Sequence, residues 1–176
     1  PEYTGHDLIA DYPKLRQGFL IESRLNTLRA AMPLIGDVGA CGRWGRRGDP
    51  ETFAKGFELY GDTVFAELAH LYSDGDVLRL GRSIFKEDPD ELGKRIAAVA
   101  DGDVPELQCR HLGRYGQAIL QTDKPEDGRA LWIHYGYGKG HSHRDNLNIG
   151  LYAKNIDMLP DLGYPEYTGP WPKRIG

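Results

Sequence analysis

A chain of 176 residues is the length of one ordinary domain, and 40 % apolar content with a formal charge of −4 marks a globular composition. The slightly acidic balance excludes the basic footprint that nucleic-acid binding leaves. No run of about eighteen apolar residues is present to span a membrane, and no charged-then-apolar leader follows Pro1, so a signal peptide is expected to be absent or already removed.

Helical periods dominate the first part of the chain. The stretch from His6 to Met32 reads as one helix interrupted near Pro13, with Leu15, Phe19, Leu25 and Leu28 roughly on one face. Gly36, Gly39, Gly42, Gly45 and Gly48 then recur at every third position. Collagen needs a long repeat rich in proline, and a phosphate loop needs a Lys-Ser/Thr ending on a helix; neither is present. A connecting loop is the plain reading, although Trp44 could stack on an anionic sugar and Arg43, Arg46 and Arg47 could pair with one. Asp49-Pro50 opens a second helix, aspartate at the N-cap and proline at the first helical position. Phe53, Phe57, Tyr60, Val64, Leu68 and Leu71 follow as an apolar stripe for packing against another helix. A third helix is expected to start at Asp88-Pro89, with Glu91 completing a capping box, and to run to Ala100.

After Pro105 the period changes to alternation. Tyr115 to Thr122 and Ala130 to Tyr137 read as strands separated by the polar turn DKPEDG. Leu147 to Lys154 is a third, with Asn155 to Asp157 turning into a fourth. So few strands make an incomplete sandwich, which needs about seven, and three helical segments cannot close a ring of helices. The expected organisation is therefore an α+β fragment spanning a domain junction, with residues 1–105 helical and 106–176 forming the first antiparallel strands of a β-sandwich. Cys41 and Cys109 fit neither a disulfide framework nor a zinc spacing, and buried thiols are expected. The pentapeptide PEYTG occurs at 1–5 and again at 165–169, and we have no physical account of the repeat.

The densest chemistry lies between Trp132 and Lys173. His141, His143 and Asp145 stand at every second position, so on a strand they share one face. Two imidazoles with nearby carboxylates, among them Asp161 in the turn MLPDLGYP, are a plausible divalent-cation set, with imidazole suited to zinc. A solvated strand face remains the alternative. Asp161 could equally be a turn former, and His143 a hydrogen-bonded strand histidine. Asp145 is favoured as a residue that orients a neighbour. His134, Tyr135 and Tyr137, just before the motif, could line a cleft, whereas His6, His70 and His111 read as ordinary surface or packed residues.

The run G-H-S-H-R-D-N-L-N-x-G-L-Y-A, followed after five residues by L-P-D-x-G-Y-P, resembles the start of the C-terminal β-sandwich of the heparinase II/III-like polysaccharide lyases. The preceding GRYGQAIL and GRALWIHYGYGKG are similar to the first strands of that domain, and AMPLIGDVG, more weakly, to a loop of the helical domain. The resemblance implies a helical toroid ending near residue 105, a sandwich beginning after it, and an active site in the cleft between them. It implies an acidic, uronate-bearing glycan of heparin, heparan sulfate or alginate type as substrate, cut by β-elimination.

Residue by residue, it implies that His141 faces the cleft near the proton-transfer machinery. His143 and Asp161 match two ligands of a divalent metal, zinc by preference and structural in role. The third ligand and the tyrosine and Asn/His of the helical domain have no match here. Tyr137, Arg43 and Trp44 are candidates for substrate binding. The expected partner is an acidic polysaccharide or oligosaccharide, with homodimerisation open and neither nucleic acid nor membrane expected. A periplasmic or secreted location is expected, with a cytoplasmic one as the alternative. Two other functions stay open: a non-catalytic carbohydrate-binding protein of the same fold, and a metal hydrolase using bound water with Asp145 as general base.

Overall fold

The computed structural model describes residues 5–29, 32–33, 35, 48–103, 106–123, 128–136, 147–154 and 156–160. Arg43, Trp44, Tyr137, His141, His143, Asp145 and Asp161 lie outside the described residues. The chain divides into two compact units, one of residues 1–24 and 48–105, the other of 25–47 and 106–176.

The first unit is helical. The stretch expected as one interrupted helix is three short ones, α1 (Leu8–Asp11), α2 (Leu15–Phe19) and α3 (Ile21–Leu25). Asp7 caps α1 by accepting from Ile9 N at 3.0 Å and Ala10 N at 3.2 Å. Pro13, which has no N–H to donate, follows directly on its end. Leu28 and Arg29 take positive φ, 53° and 57°, so no helix reaches residue 32.

The apolar stripe from Phe53 to Leu71 is likewise split, into α4 (Pro50–Tyr60) and α5 (Thr63–Tyr72). Gly61 sits at φ 63° and donates its N–H to Phe57 O, while Asp62 restarts the chain by accepting from Val64 N at 3.1 Å. Of the stripe, Phe53, Phe57 and Leu68 are buried in one core together with Leu92 and Ile96 of α6 (Glu91–Val99), and Tyr60 and Val64 pack partly buried against it. Phe65, which the stripe passes over, is fully buried in α5, and Leu71 is not part of the cluster. That last helix begins later than a capping box at Asp88 requires. The Asp88 carboxylate accepts from Asp90 N and from Lys94 Nζ at 2.7 Å, and Asp90 takes the N-cap position without a side-chain bond. Buried Glu67 accepts from Asp101 N and Gly102 N at 2.9 and 3.0 Å, fixing the chain as it leaves α6.

The second unit carries a five-stranded antiparallel sheet in sequential order. Its strands are β1 (Arg110–Leu112), β2 (Gln117–Gln121), β3 (Arg129–His134), β4 (Asn148–Ala153) and β5 (Ile156–Asp157). Register aligns Gln117 with His134 and Asn148 in one row, Ile119 with Trp132 and Gly150 in the next, and Gln121 with Ala130 and Tyr152 in the third. Residues paired across a ladder share a face, and this one is the buried face. Ile35 joins Ile119 and Trp132 in one cluster, and Leu28 joins Leu107 and Ala130 in another. The other face is apolar too, yet Leu120, Leu131 and Ile149 on it are exposed. Cys109 is also exposed, against the expectation of a buried thiol: it precedes β1 beside the end of β2, where Gln121 N donates to its Sγ at 3.4 Å. Among the described residues no helix is long and apolar enough to cross a membrane.

Candidate functional site

The segment carrying most of the candidate residues, 137–146, falls in sequence between β3 and β4, and the described part of the sheet shows the end at which β3 stops. That end is built by the hairpin between β1 and β2. Gly116, at φ 79°, brings its carbonyl to accept from both Tyr135 N at 2.7 Å and Gly136 N at 3.1 Å. The two glycines approach so closely that a Cβ on Gly116 would fall 2.1 Å from Gly136 Cα. Only a residue that tolerates positive φ and lacks a side chain meets both demands. The pinch fixes where the chain leaves β3, immediately ahead of Tyr137.

A polar row lies just inside the pinch. Gln117, His134 and Asn148 are register partners, and Gln117 and His134 are buried at 0 % and 7 % exposure. Among the described residues the Gln117 amide finds no hydrogen-bond partner at either atom. The ring of His134 lies 6.2 Å from that of Tyr115, tilted by 46°. A Cβ on Gly136 would stand 3.0 Å from His134 Nε2, so the missing side chain leaves room for the imidazole edge.

On the opposite face, His111 of β1 and Tyr135 meet: His111 Nε2 and the Tyr135 hydroxyl are 2.5 Å apart, a hydrogen bond whose direction follows the imidazole tautomer. From sequence His111 reads as an ordinary surface or packed residue, and it is exposed. The signal for the pair is non-local, since it requires the β1–β2–β3 register that sets residues 111 and 135 side by side.

Of the residues named from sequence as candidates for the cleft, the described ones are His134, which is buried, and Tyr135, which is exposed. His6 is exposed, with Nδ1 3.5 Å from an Asp11 carboxylate oxygen, and His70 lies in the last turn of α5. Among the described residues no group of three His, Cys, Asp or Glu could hold a metal ion.

Among the described residues the shifted ionisations belong to the helical unit. Glu58 lies below the usual carboxylate range because Lys55 and Lys86 bond to it, at 2.6 and 2.7 Å. Asp62 is lowered chiefly by the Arg16 guanidinium. These groups line or neighbour ion-paired surface and are structural in character.

Neither a protein-family model nor a curated protein sequence matches the chain. Solved structures do. Two structures of heparinase III, the BT4657 gene product, one of them with methylated lysines, align with a TM-score of 0.50 at 14 % and 12 % identity, each over 89 % of this chain and 20 % of the other. A mutant of heparan sulfate lyase HepC from Pedobacter heparinus aligns at 16 % identity and a TM-score of 0.45, over 88 % of this chain and 20 % of that one. The chain thus spans about one fifth of the length of the structures it matches. At these identities the likeness speaks for architecture: an α+β chain with a heparinase III-like fold.

Proposed function

We propose that this chain is part of a polysaccharide lyase that cleaves an acidic, uronate-bearing glycan by β-elimination, joining the end of a helical toroid to the first sheet of a β-sandwich. The observation that carries the reading is the heparinase III-like fold over 89 % of the chain, with the HSHRD segment falling in the β3–β4 connection. The exposed apolar face of the sheet suits a layer that a second sheet covers.

In such a reaction a base removes the proton on C5 of the uronate and an acid assists departure of the oxygen on C4. The C5 proton becomes removable only when the adjacent carboxylate is neutralised, so the site needs an electrostatic clamp beside its proton-transfer groups. In this reading His141 meets the substrate, sharing a proton or hydrogen-bonding the uronate carboxylate, roles to which an imidazole is suited. Tyr137, Arg43 and Trp44 contact the sugar. His143 and Asp161 offer imidazole and carboxylate donors of the kind zinc takes, and zinc held there would brace the segment that carries His141.

The test uses the complete protein and follows the absorbance of the unsaturated uronate product. His141→Ala should lower turnover at least tenfold, about 1.4 kcal/mol of transition-state stabilisation, with the fold intact. His143→Ala should first lower metal content and thermal stability. Wild-type turnover in His141→Ala would show the assignment to be wrong. Glycan binding without unsaturated product would select the non-catalytic carbohydrate-binding alternative.

A further inference from the structure

The pinched end of the sheet carries a second arrangement that the lyase reading does not use. The rings of His111 and Tyr135 are 6.0 Å apart between centroids and within 26° of parallel, and their polar edges are joined by the hydrogen bond at 2.5 Å. A separation that spans two ring edges plus a hydrogen bond means the rings lie side by side, not face to face. They make one broad, nearly flat surface, with His111 exposed and Tyr135 38 % exposed. Two residues beyond β1, Arg114 stands exposed on the hairpin turn, with no carboxylate at ion-pair distance among the described residues. Tyr115, 44 % exposed, is its neighbour.

The described carboxylates of this unit are Glu106, Asp123 and Asp157. Glu106 precedes β1, Asp123 follows β2, and Asp157 pairs with Tyr152, so all three lie toward the end away from the hairpin. Among the described residues of this unit, the hairpin end that carries Arg114 therefore has no carboxylate, in a chain whose formal charge is −4 overall.

We propose that His111, Tyr135 and Arg114 form an accessory subsite for one acidic sugar unit, at the end of the sheet from which the segment bearing His141 departs. A pyranose presents a face of C–H bonds that packs on the electron-rich face of an aromatic ring. A sulfate or carboxylate on the same sugar is bound by a guanidinium in fork geometry. A flat ring surface with an exposed arginine three residues further along the same hairpin answers to both features together. The hydrogen bond holds the two rings in position before binding, so little side-chain freedom is lost on contact. An exposed pair contributes little to folding, which leaves recognition as the role that its geometry serves. The subsite rests on the lyase reading for its place along a substrate, but its affinity for an acidic sugar can be measured without turnover.

The experiment compares the complete wild-type protein with Arg114→Gln and Tyr135→Ala. With an acidic glycan as substrate, each variant should raise KM about three- to tenfold while kcat stays within about twofold. In parallel, calorimetric titration with low-molecular-weight heparin and with oligoalginate should show the same loss of affinity. The first probe carries sulfate and the second only carboxylate, so the two arms tell which anion Arg114 takes. Unchanged KM and unchanged affinity in Arg114→Gln would overturn the proposal, as would an oligodeoxynucleotide that competes as strongly as the glycans. If the wild-type protein yields no unsaturated product, the lyase reading fails; binding that is lost in Arg114→Gln still supports the subsite, and absence of wild-type binding overturns it. Should Tyr135→Ala fail to fold, Arg114→Gln on the exposed turn decides alone.

Discussion

Gly56 in the middle of α4 sets two effects of known size against each other. In an ordinary exposed helix, Gly→Ala stabilises by about 1 kcal/mol, because alanine loses less backbone freedom on folding. Here the added Cβ would fall 2.6 Å from Phe65 Cδ1, 2.8 Å from Cε1 and 3.0 Å from Cγ. The ring cannot step aside: Phe65 is 0 % exposed, stacked on Tyr60 at 5.8 Å, edge-on to Phe19 at 6.4 Å and covered by the Arg16 guanidinium at 5.5 Å. Overpacking of this kind costs about 1–3 kcal/mol, so Gly56→Ala should destabilise the helical unit by about 1 kcal/mol net. Gly18 in α2 is the control, because nothing lies within 4 Å of its added Cβ, and Gly18→Ala should gain about 0.5–1 kcal/mol. Urea unfolding followed by far-UV circular dichroism reads both. Phe65→Leu in the Gly56→Ala background should recover part of the loss, with a coupling of at least about 0.5 kcal/mol. A Gly56→Ala midpoint at or above that of the wild type would refute the reasoning, and absent coupling would acquit Phe65.

Asp62 supplies a pH test. Its carboxyl lies below the usual range because Arg16 bonds to it and Val64 N donates to it. A depressed folded-state pKa gives stability that is present above the unfolded value and lost as pH falls through the folded one. Asp62→Ala should therefore cost about 1 kcal/mol near neutrality, the scale of an N-cap at a half-exposed site, and the gap from wild type should close as pH drops below about 4; a gap independent of pH would count against this. At Gly150 an added Cβ would meet Trp132 Nε1 at 2.1 Å, so Gly150→Ala should cost about 1–3 kcal/mol and displace the indole. With Trp44 and Trp171 replaced by phenylalanine, Trp132 emission should shift to the red; unchanged emission and stability would contradict the packing.

The change from helical to alternating period near residue 105 was legible because burial imposes it: every second residue of β2 and β3 from Gln117 to Trp132 meets the covered face. The break at Gly61-Asp62 could have been read as well, since a glycine C-cap followed by an aspartate N-cap was present within the apolar stripe; the regular spacing of the phenylalanines concealed it. The start of α6 was not legible, because Asp88 spends its carboxylate on Lys94 and Asp90, a choice among local partners that spacing does not decide. Nor was the His111–Tyr135 pair, which depends on strand register. Of the candidate site, sequence and structure together define the platform from which the HSHRD segment departs, while His141, His143 and Asp161 lie outside the described residues.

Leu28 donates its N–H to Gln121 Oε1 at 2.9 Å across a sequence separation of 93 residues, and this has a consequence for how the chain can be divided. Neither unit is one continuous stretch: residues 25–47 belong with the sheet, and the helices of 48–105 are inserted into it. Expression of residues 106–176 alone would strip Leu28 and Ile35 from the clusters around Ala130 and Trp132, exposing the one face of the sheet that is covered. During synthesis, Leu28 and Ile35 emerge well before the strands they pack against and must wait for them. The sheet therefore closes late, after a loop of helices whose own contacts are mostly local. A cut placed at the change of period would separate helix from strand in sequence and break a core in space.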